Sequence, residues 1–451
     1  MRPTGFRGQL LGPSDDGYEE ARKVYNGMID KRPRLIAKCT DVADVVTAVN
    51  FARDNGIVVA VRGGGHNGGG LGLVDDGLVI DLSRLNDVQV DAQARTVRVG
   101  GGATWGEVDR ATGEFGLATP AGTISTTGVG GLTLGGVIGH LTRGFGLTID
   151  NLLAVEMVLA NGRTVTADAD TNPDLFWAVR GGGGNFGVVT SFLFRLHPVG
   201  TVVAGPTLYP LEMASDALRF YRDFIGTAPE ALNGFFAFLT VPPGPPFPEH
   251  LHLKKMCAIV WCYSGPSEKA DEVLAPARAF GPPALDGTGP MPLATWNSAF
   301  NALYPPGDQW YWRADFINEL TDEAIERQVE HGSRLPTWKS TTHIYPIDGA
   351  ASRPANDATA WAYRDAKWSQ AIVGVDPDPA NAGLIKQWVV DYWEALHPYS
   401  AGGAYANFMM DEGQDRVQAA YRGNYQRLTE VKKRYDPTNF FHVNQNIKPA
   451  V

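Results

Sequence analysis

The sequence predicts an α+β protein of two lobes, and three observations carry that prediction. Residues 32–61 read as strand, helix, strand. Glycine makes up 53 of 451 residues, and 30 of those 53 lie between positions 61 and 200, against a usual share near ~7%. Beyond about position 205 the glycine loops give way to mixed strands and helices rich in aromatic residues, as in "WCYSG", "WYWRADF" and "THIYPI". A chain of this length exceeds one small core, so two or three domains are expected. The first lobe should cradle a ligand and the second should be more conventional.

The elements follow in order. "RPRLIAKC" (32–39) reads as a strand. "TDVADVVTAVNFARDNG" (40–56) reads as a helix, with Thr40 as N-cap, Val42, Val45, Val46 and Val49 on one face, and Gly56 where a C-cap belongs. "IVVAV" (57–61) is a second strand and leads into "VRGGGHNGGG" (61–70), one histidine among six glycines. Glycine loses the most backbone entropy on folding, so such a run needs unusual backbone angles or a close approach to the main chain. Residues 77–116 supply two or three alternating strands, a glycine turn at 100–102 and a helix. The segment 118–151 is apolar and glycine-rich and has no clean period. "LLAVEMVLANGRTVTA" (152–167) reads as a hairpin turning at Asn161 and Gly162. "NPDLFWAVRGGGGNFGVVTSFLFRL" (172–196) gives a short helix, a glycine turn and a strand. The tail, 419–449, reads as an amphipathic helix followed by an extended segment.

The bulk properties exclude several classes. A net charge of −10 without a basic run argues against nucleic acid as a partner. No signal-peptide core and no 18-residue apolar run occur, so no membrane partner is expected and the cytoplasm is the expected location. Three cysteines, Cys39, Cys257 and Cys262, are odd in number and sparse, which fits a reducing compartment. No Cys, Asp or His stands at ligand spacing from His66, so no metal is expected. The sequence sets no oligomeric state.

Two stretches match G-x-G-x-x-G, at 63–68 and 182–187. A dinucleotide fingerprint must follow a strand and open a helix. The first runs into "GGLGLVDDG" and the second into the strand "VVTSFLF", so neither qualifies. Main-chain N–H groups in turns still make anion-binding nests without a helix, which leaves a diphosphate ligand open. A lone loop histidine is ordinarily just a turn residue. The strand-helix-strand approach, Arg62 and three further glycine loops point instead to a lobe that wraps a large anionic cofactor.

"VRGGGHN", "TPAGTISTTGVGGLTLGGVIGHLTRGFGLTIDN", "PDLFWAVRGGGGNFGVVT" and "YDPTNFFHVNQNI" occur in that order. Together they resemble the vanillyl-alcohol-oxidase superfamily and, within it, the berberine-bridge-enzyme-like flavoprotein oxidases. The resemblance covers nearly the whole chain. It implies a PCMH-type FAD-binding domain of two α/β subdomains over 1–203. It also implies a substrate domain, an antiparallel sheet covered by helices, over 204–404, and a C-terminal segment, 405–451, that returns to the FAD domain. FAD is the implied cofactor, with His66 joined to the flavin 8α carbon and Arg62, Gly63, Gly64, Gly65 and Asn67 at its diphosphate. Pro120, Gly122, Thr123, Thr127, Gly128, Gly139, Leu141 and Asn151 are implied along the ring. Gly187, Val189, Tyr405 and Asn407 complete the implied cofactor contacts. Many relatives add a second bond from a cysteine in the segment matching 123–127. "TISTT" has none, so a single covalent link is implied, as in the monocovalent bacterial members.

Such flavoproteins move a hydride from a substrate C–H to the flavin while a base takes the O–H or N–H proton. Tyr405 resembles the family tyrosine at the substrate face of the flavin, and is a base if a nearby cation lowers its pKa. Asn407 shares its side if the segment is extended. The alternative is a packed tyrosine and a turn asparagine. In "WYWRADF" Tyr311 and Arg313 share one face and Trp310 and Trp312 the other; relatives often carry lysine where Arg313 stands. His343, paired with Tyr345 in "THIYP", and Tyr363 are further candidates to line a pocket for a planar or ring-shaped substrate, although aromatic strands usually just pack. Thr127 matches the position where relatives differ in oxygen use, and its small side chain leaves room for dioxygen. An oxidase of a small alcohol or amine in secondary metabolism is therefore the expectation. An oxygenase or dehydrogenase on the same fold, or a ligand-sequestering protein, are the alternatives.

Overall fold

In the computed structural model, which describes residues 3–451, the short apolar runs assemble into three sheets. The first contains β1 (Gln9–Leu11), β2 (Leu35–Lys38), β3 (Val59–Arg62) and β4 (Leu78–Asp81) in the order β1-β2-β4-β3. β4 runs parallel to both β2 and β3. The strand-helix-strand unit thus receives a later strand between its own two, which no local pattern announces. Its helix, Val42–Asp54, is capped by Asp41 and not by Thr40. The Asp41 carboxylate accepts from the Asp44 N–H at 3.0 Å, while the Thr40 hydroxyl is drawn to the Asp44 carboxylate. Gly56 follows the helix with φ +61°, the left-handed conformation that suits glycine just past a helix end.

The second sheet contains β5 (Val88–Asp91), β6 (Thr96–Gly100), β7 (Leu152–Val158), β8 (Thr164–Asp168) and β9 (Val188–Arg195), in the order β5-β6-β9-β7-β8. β7 and β8 form the predicted hairpin, with Gly162 at φ +79°. The segment 118–151 folds as two short helices, Val129–Gly135 and Thr142–Phe145, and a turn, Thr148–Asp150. It is buried on most sides, which is why it shows no amphipathic period.

The third sheet is antiparallel throughout. It contains β10 (Thr201–Pro210), β11 (Leu232–Thr240), β12 (Lys255–Tyr263), β13 (Leu285–Asp286), β14 (Gly289–Pro292), β15 (Gln309–Ile317), β16 (Thr341–Pro346) and β17 (Trp368–Asp376). The path is β13-β10-β12-β11-β16-β17-β15, with β14 on β10. Helices such as Ala214–Ile225, Asp322–Gly332 and Ala382–Leu396 cover one face. The other face turns toward the first two sheets. The tail is two helices, Gln414–Tyr421 and Asn424–Tyr435, rather than the single one expected, because Arg422 takes φ +45° between them. Val417, Leu428, Val431 and Ile447 from this tail join the core of the second sheet. Among the described residues no helix is long and apolar enough to cross a membrane.

Candidate active site

Two glycine loops cross at the centre of the molecule. A Cβ on Gly64 would lie 2.4 Å from the Gly128 nitrogen, and one on Gly128 would lie 2.3 Å from the Gly64 nitrogen. The reason for glycine at these two positions is therefore the approach of one main chain to another. A Cβ on Gly68 would likewise meet the Trp312 indole at 2.3 Å. The crossing brings His66 Nδ1 to 3.4 Å from Thr127 Oγ1 and leaves its ring stacked on Tyr25 at 3.9 Å. Burial lowers the His66 pKa to about 4, only partly opposed by a hydrogen bond to the Thr126 main chain. The imidazole is neutral at physiological pH and keeps a nucleophilic lone pair.

Beside the crossing lies a cavity of about 340 Å³ with two walls. Residues 62–67, Gly101, Thr123, Thr127, Gly128 and Gly183 form the loop wall, and Trp312, Thr341, His343, Tyr345, Ala371 and Val373 form the sheet wall. Tyr405, Asn407 and Phe408 stand between them. Arg62 contributes main chain only, because its guanidinium is committed to the Asp81 carboxylate at 2.6 Å in a buried pair. The guanidinium is thereby held on protein acceptors, with its charge balanced by Asp81. With Arg62 neutralised, the described lining residues offer an anion main-chain N–H dipoles and no free cation. A Cβ on Gly131 or Gly184, both lining the cavity, would meet nothing within 4 Å. The buried Asn444 Oδ1, also from a lining residue, has no partner. Open space in front of glycine main chain and an unsatisfied acceptor fit a dinucleotide such as FAD.

The structure sorts the remaining sequence candidates. Gly63, Gly65, Asn67, Gly122, Thr123, Gly187, Val189, Tyr405, Asn407 and His343 line the cavity. Pro120, Gly139, Leu141 and Asn151 instead build the segment behind it. The Pro120 carbonyl accepts from the Thr148 hydroxyl at 2.6 Å, and the Gly139 N–H donates to Thr142 Oγ1 at 2.8 Å. Leu141 packs in the core, and the Asn151 amide donates to the Phe145 and Leu147 carbonyls. Tyr311 and Arg313 lie on the far side of β15, against the helix Ala382–Leu396, with Arg313 4.5 Å over the Trp393 ring. It is Trp310 and Trp312 that face the cavity. Tyr363 stacks on Phe316 at 4.3 Å and donates to the Ala419 carbonyl at 2.8 Å, a packing role. Sequence reasoning missed Tyr25 and Tyr304, which belong to no motif, and Trp312, whose inward face is chosen by the pairing of β15 with β17.

Tyr405 also corrects an expectation. Its oxygen accepts from the Val137 N–H at 3.1 Å and from the Asn407 amide at 2.7 Å. The same amide donates to the Leu132 carbonyl at 2.9 Å, which can only accept and so fixes its orientation. A Cβ on Gly135 would lie 2.3 Å from this amide, so glycine there makes room for Asn407. Burial pushes the Tyr405 phenol well above its ordinary pKa, opposed by those two hydrogen bonds and by no cation. With no cation beside it, Tyr405 is a neutral phenol whose oxygen accepts twice and which has a proton to donate.

Residues 33–168 match the FAD binding domain family and residues 404–448 the berberine and berberine-like family. Fold and cavity are accordingly those of an FAD-dependent oxidoreductase. The chain is 39% identical over 468 residues to (R)-6-hydroxynicotine oxidase of Paenarthrobacter nicotinovorans, covering 99% of this chain and 98% of that protein. It is 31% identical over 438 residues to an FAD-linked oxidoreductase of Dictyostelium discoideum, with 97% and 93% covered. The structure of 6-hydroxy-D-nicotine oxidase from Arthrobacter nicotinovorans matches with a TM-score of 0.88 at 26% identity, covering 99% of both chains. The chain belongs to the berberine-bridge-like FAD-linked oxidoreductases of the vanillyl-alcohol-oxidase superfamily, which act on small molecules.

Proposed function

We propose that this FAD-linked oxidoreductase is an oxidase of a small, uncharged alcohol or amine, with its flavin attached through His66 alone and hydrogen peroxide formed from dioxygen. The observation that carries the reading is His66 itself: neutral, half-buried, on the cavity and touching Thr127. When bound, FAD supplies the acceptor for the hydride that leaves the substrate C–H. Main chain at Gly63, Gly64, Gly65, Asn67 and Gly184 holds the cofactor. Trp310, Trp312 and Phe408 give a flat apolar wall suited to a ring. Tyr405 donates its proton to the substrate heteroatom and orients it.

The described lining residues include no aspartate, glutamate or lysine. An ammonium group would be desolvated there without a counter-ion, so an amine reacts as its free base. The small Thr127 side chain favours oxygen access, and the relative at 39% identity is an oxidase by name. The cysteines are free and buried, in keeping with a cytoplasmic protein of secondary metabolism.

Acid precipitation of the wild type and of His66→Ala tests the attachment. Flavin fluorescence should stay with the wild-type pellet and be absent from the variant's. Release of the wild-type flavin into acid would overturn the covalent link. Peroxide should form in equimolar amount with substrate consumed; a flavin that stays reduced in air would make the protein a dehydrogenase.

A further inference from the structure

We propose that Tyr345 takes the substrate's O–H or N–H proton and that His343 behind it receives the proton Tyr345 gives up, in an imidazole tautomer set by Thr341. The proposal rests on the oxidation reading above and adds a proton acceptor with an outlet for its own proton. Its basis is a chain of hydrogen bonds whose directions follow from one end. The Phe238 carbonyl can only accept, so the Thr341 hydroxyl donates to it, at 2.8 Å. The Thr341 oxygen is then left to accept, and it accepts from His343 Nε2–H at 3.2 Å. A neutral imidazole protonated at Nε2 has its lone pair at Nδ1. Tyr345 O–H therefore donates to His343 Nδ1, at 2.8 Å.

The strand places the three groups for this task. Thr341, His343 and Tyr345 alternate along β16, so all three face the cavity. His343 stands between Ala237 on β11 and Ala371 on β17, small neighbours that leave room for the ring. Burial holds the His343 pKa down to about 4, so the imidazole is neutral and ready to accept. Burial pushes the Tyr345 phenol up as it does Tyr405, opposed by Thr123 on the loop wall; what sets Tyr345 apart is an acceptor for its own proton, His343 Nδ1. The cavity thus carries a donor, Tyr405, and an acceptor, Tyr345. That pair is complementary to one heteroatom bearing both a lone pair and a hydrogen.

The step balances as follows. The substrate heteroatom–hydrogen bond breaks and its proton passes to the Tyr345 oxygen. The original Tyr345 O–H bond breaks and that proton passes to His343 Nδ1, giving an imidazolium. The C–H electron pair would leave with its hydrogen to the acceptor that bound FAD supplies, and the carbon–heteroatom double bond would form. An imidazolium so poorly solvated is a strong acid and returns its proton through Tyr345 when product leaves.

Nitrogen NMR of the holoenzyme labelled with ¹⁵N-histidine tests the tautomer, with His343 assigned by comparison with His343→Gln. Protonation at Nε2 is expected, with Tyr345→Phe moving the Nδ1 resonance. Protonation at Nδ1 overturns the relay, because the imidazole could not then accept from Tyr345. Anaerobic rapid mixing with benzyl alcohol and with benzylamine tests the chemistry. Tyr345→Phe and His343→Gln should each slow flavin reduction by roughly 10²–10⁴-fold, with flavin content and substrate affinity near wild type and the double variant no slower than Tyr345→Phe. Unchanged reduction rates in both variants overturn the relay and leave the oxidase reading intact. A wild-type flavin that neither probe reduces counts against the oxidase reading, and the tautomer then decides the relay.

Discussion

The loop wall of the cavity is largely glycine main chain, with a few side chains such as His66 and Thr127 set into it, and the sheet wall is made of side chains. Gly63, Gly64 and Gly65 are contiguous, whereas Trp312, His343 and Ala371 come from three strands far apart in sequence. A main-chain wall excludes side chains, so it is written into the sequence as glycine and can be read one motif at a time. A side-chain wall is decided by which face of each pleated strand turns inward, and that depends on a partner strand. The same chemistry-bearing residues therefore carry different information on the two walls.

The contrast can be broken at its strongest point by Gly128→Ala. The added carbon would sit against the Gly64 nitrogen, and main chain cannot swing aside as a side chain can. A loss of ~1–3 kcal/mol or more is expected, as in overpacked cores, together with loss of bound flavin. Full flavin content and an unchanged melting temperature would show that the loops can part. Asp109 sharpens the comparison at the seam between the walls. It accepts from the Asn297 amide at 2.9 Å, and the Asn297 carbonyl accepts from the Ser125 N–H at 3.0 Å on the flavin-side loop. Burial raises its pKa to about 7, opposed by the Asn297 hydrogen bond. A carboxyl whose folded pKa exceeds its unfolded one contributes stability at low pH that is lost as pH rises from about 4 to about 7. Asp109→Asn should flatten that fall, by an amount of the order of 3–4 kcal/mol at most, read from melting temperatures at acidic and alkaline pH. The smallest effect is expected from Arg313→Gln, which removes a cation from the Trp393 face and costs about 0.5–1 kcal/mol. Its kcat/KM should match the wild type; a tenfold fall would mean that the outer face of β15 reaches the substrate after all.

What was legible follows the same division. The glycine loops, His66 and Thr127 were readable as one place because contiguous residues line that side of the cavity. Pro120, Gly139, Leu141 and Asn151 were misplaced because one unbroken motif contains both the lining and the scaffold behind it, and sequence does not separate them. For β15, alternation groups Tyr311 with Arg313 and Trp310 with Trp312, yet the inward pair is chosen by β17 and the covering helix. Tyr405 was named, but the hydrogen bond its oxygen accepts comes from the Val137 N–H, 268 positions away. Tyr25 had no signal at all; it reaches His66 only because the chain before β2 lies beside the crossing.

The pairing of Arg62 with Asp81 has a wider consequence. An anion held by lysines and arginines loosens as salt screens those charges, over a Debye length of ~8 Å at physiological strength. Here the opposing charges cancel inside the protein, and what remains is a set of oriented peptide dipoles in a poorly solvated cleft. Dipoles of that kind are screened little by mobile ions. A diphosphate held in this way would be detached from the ionic strength of its surroundings.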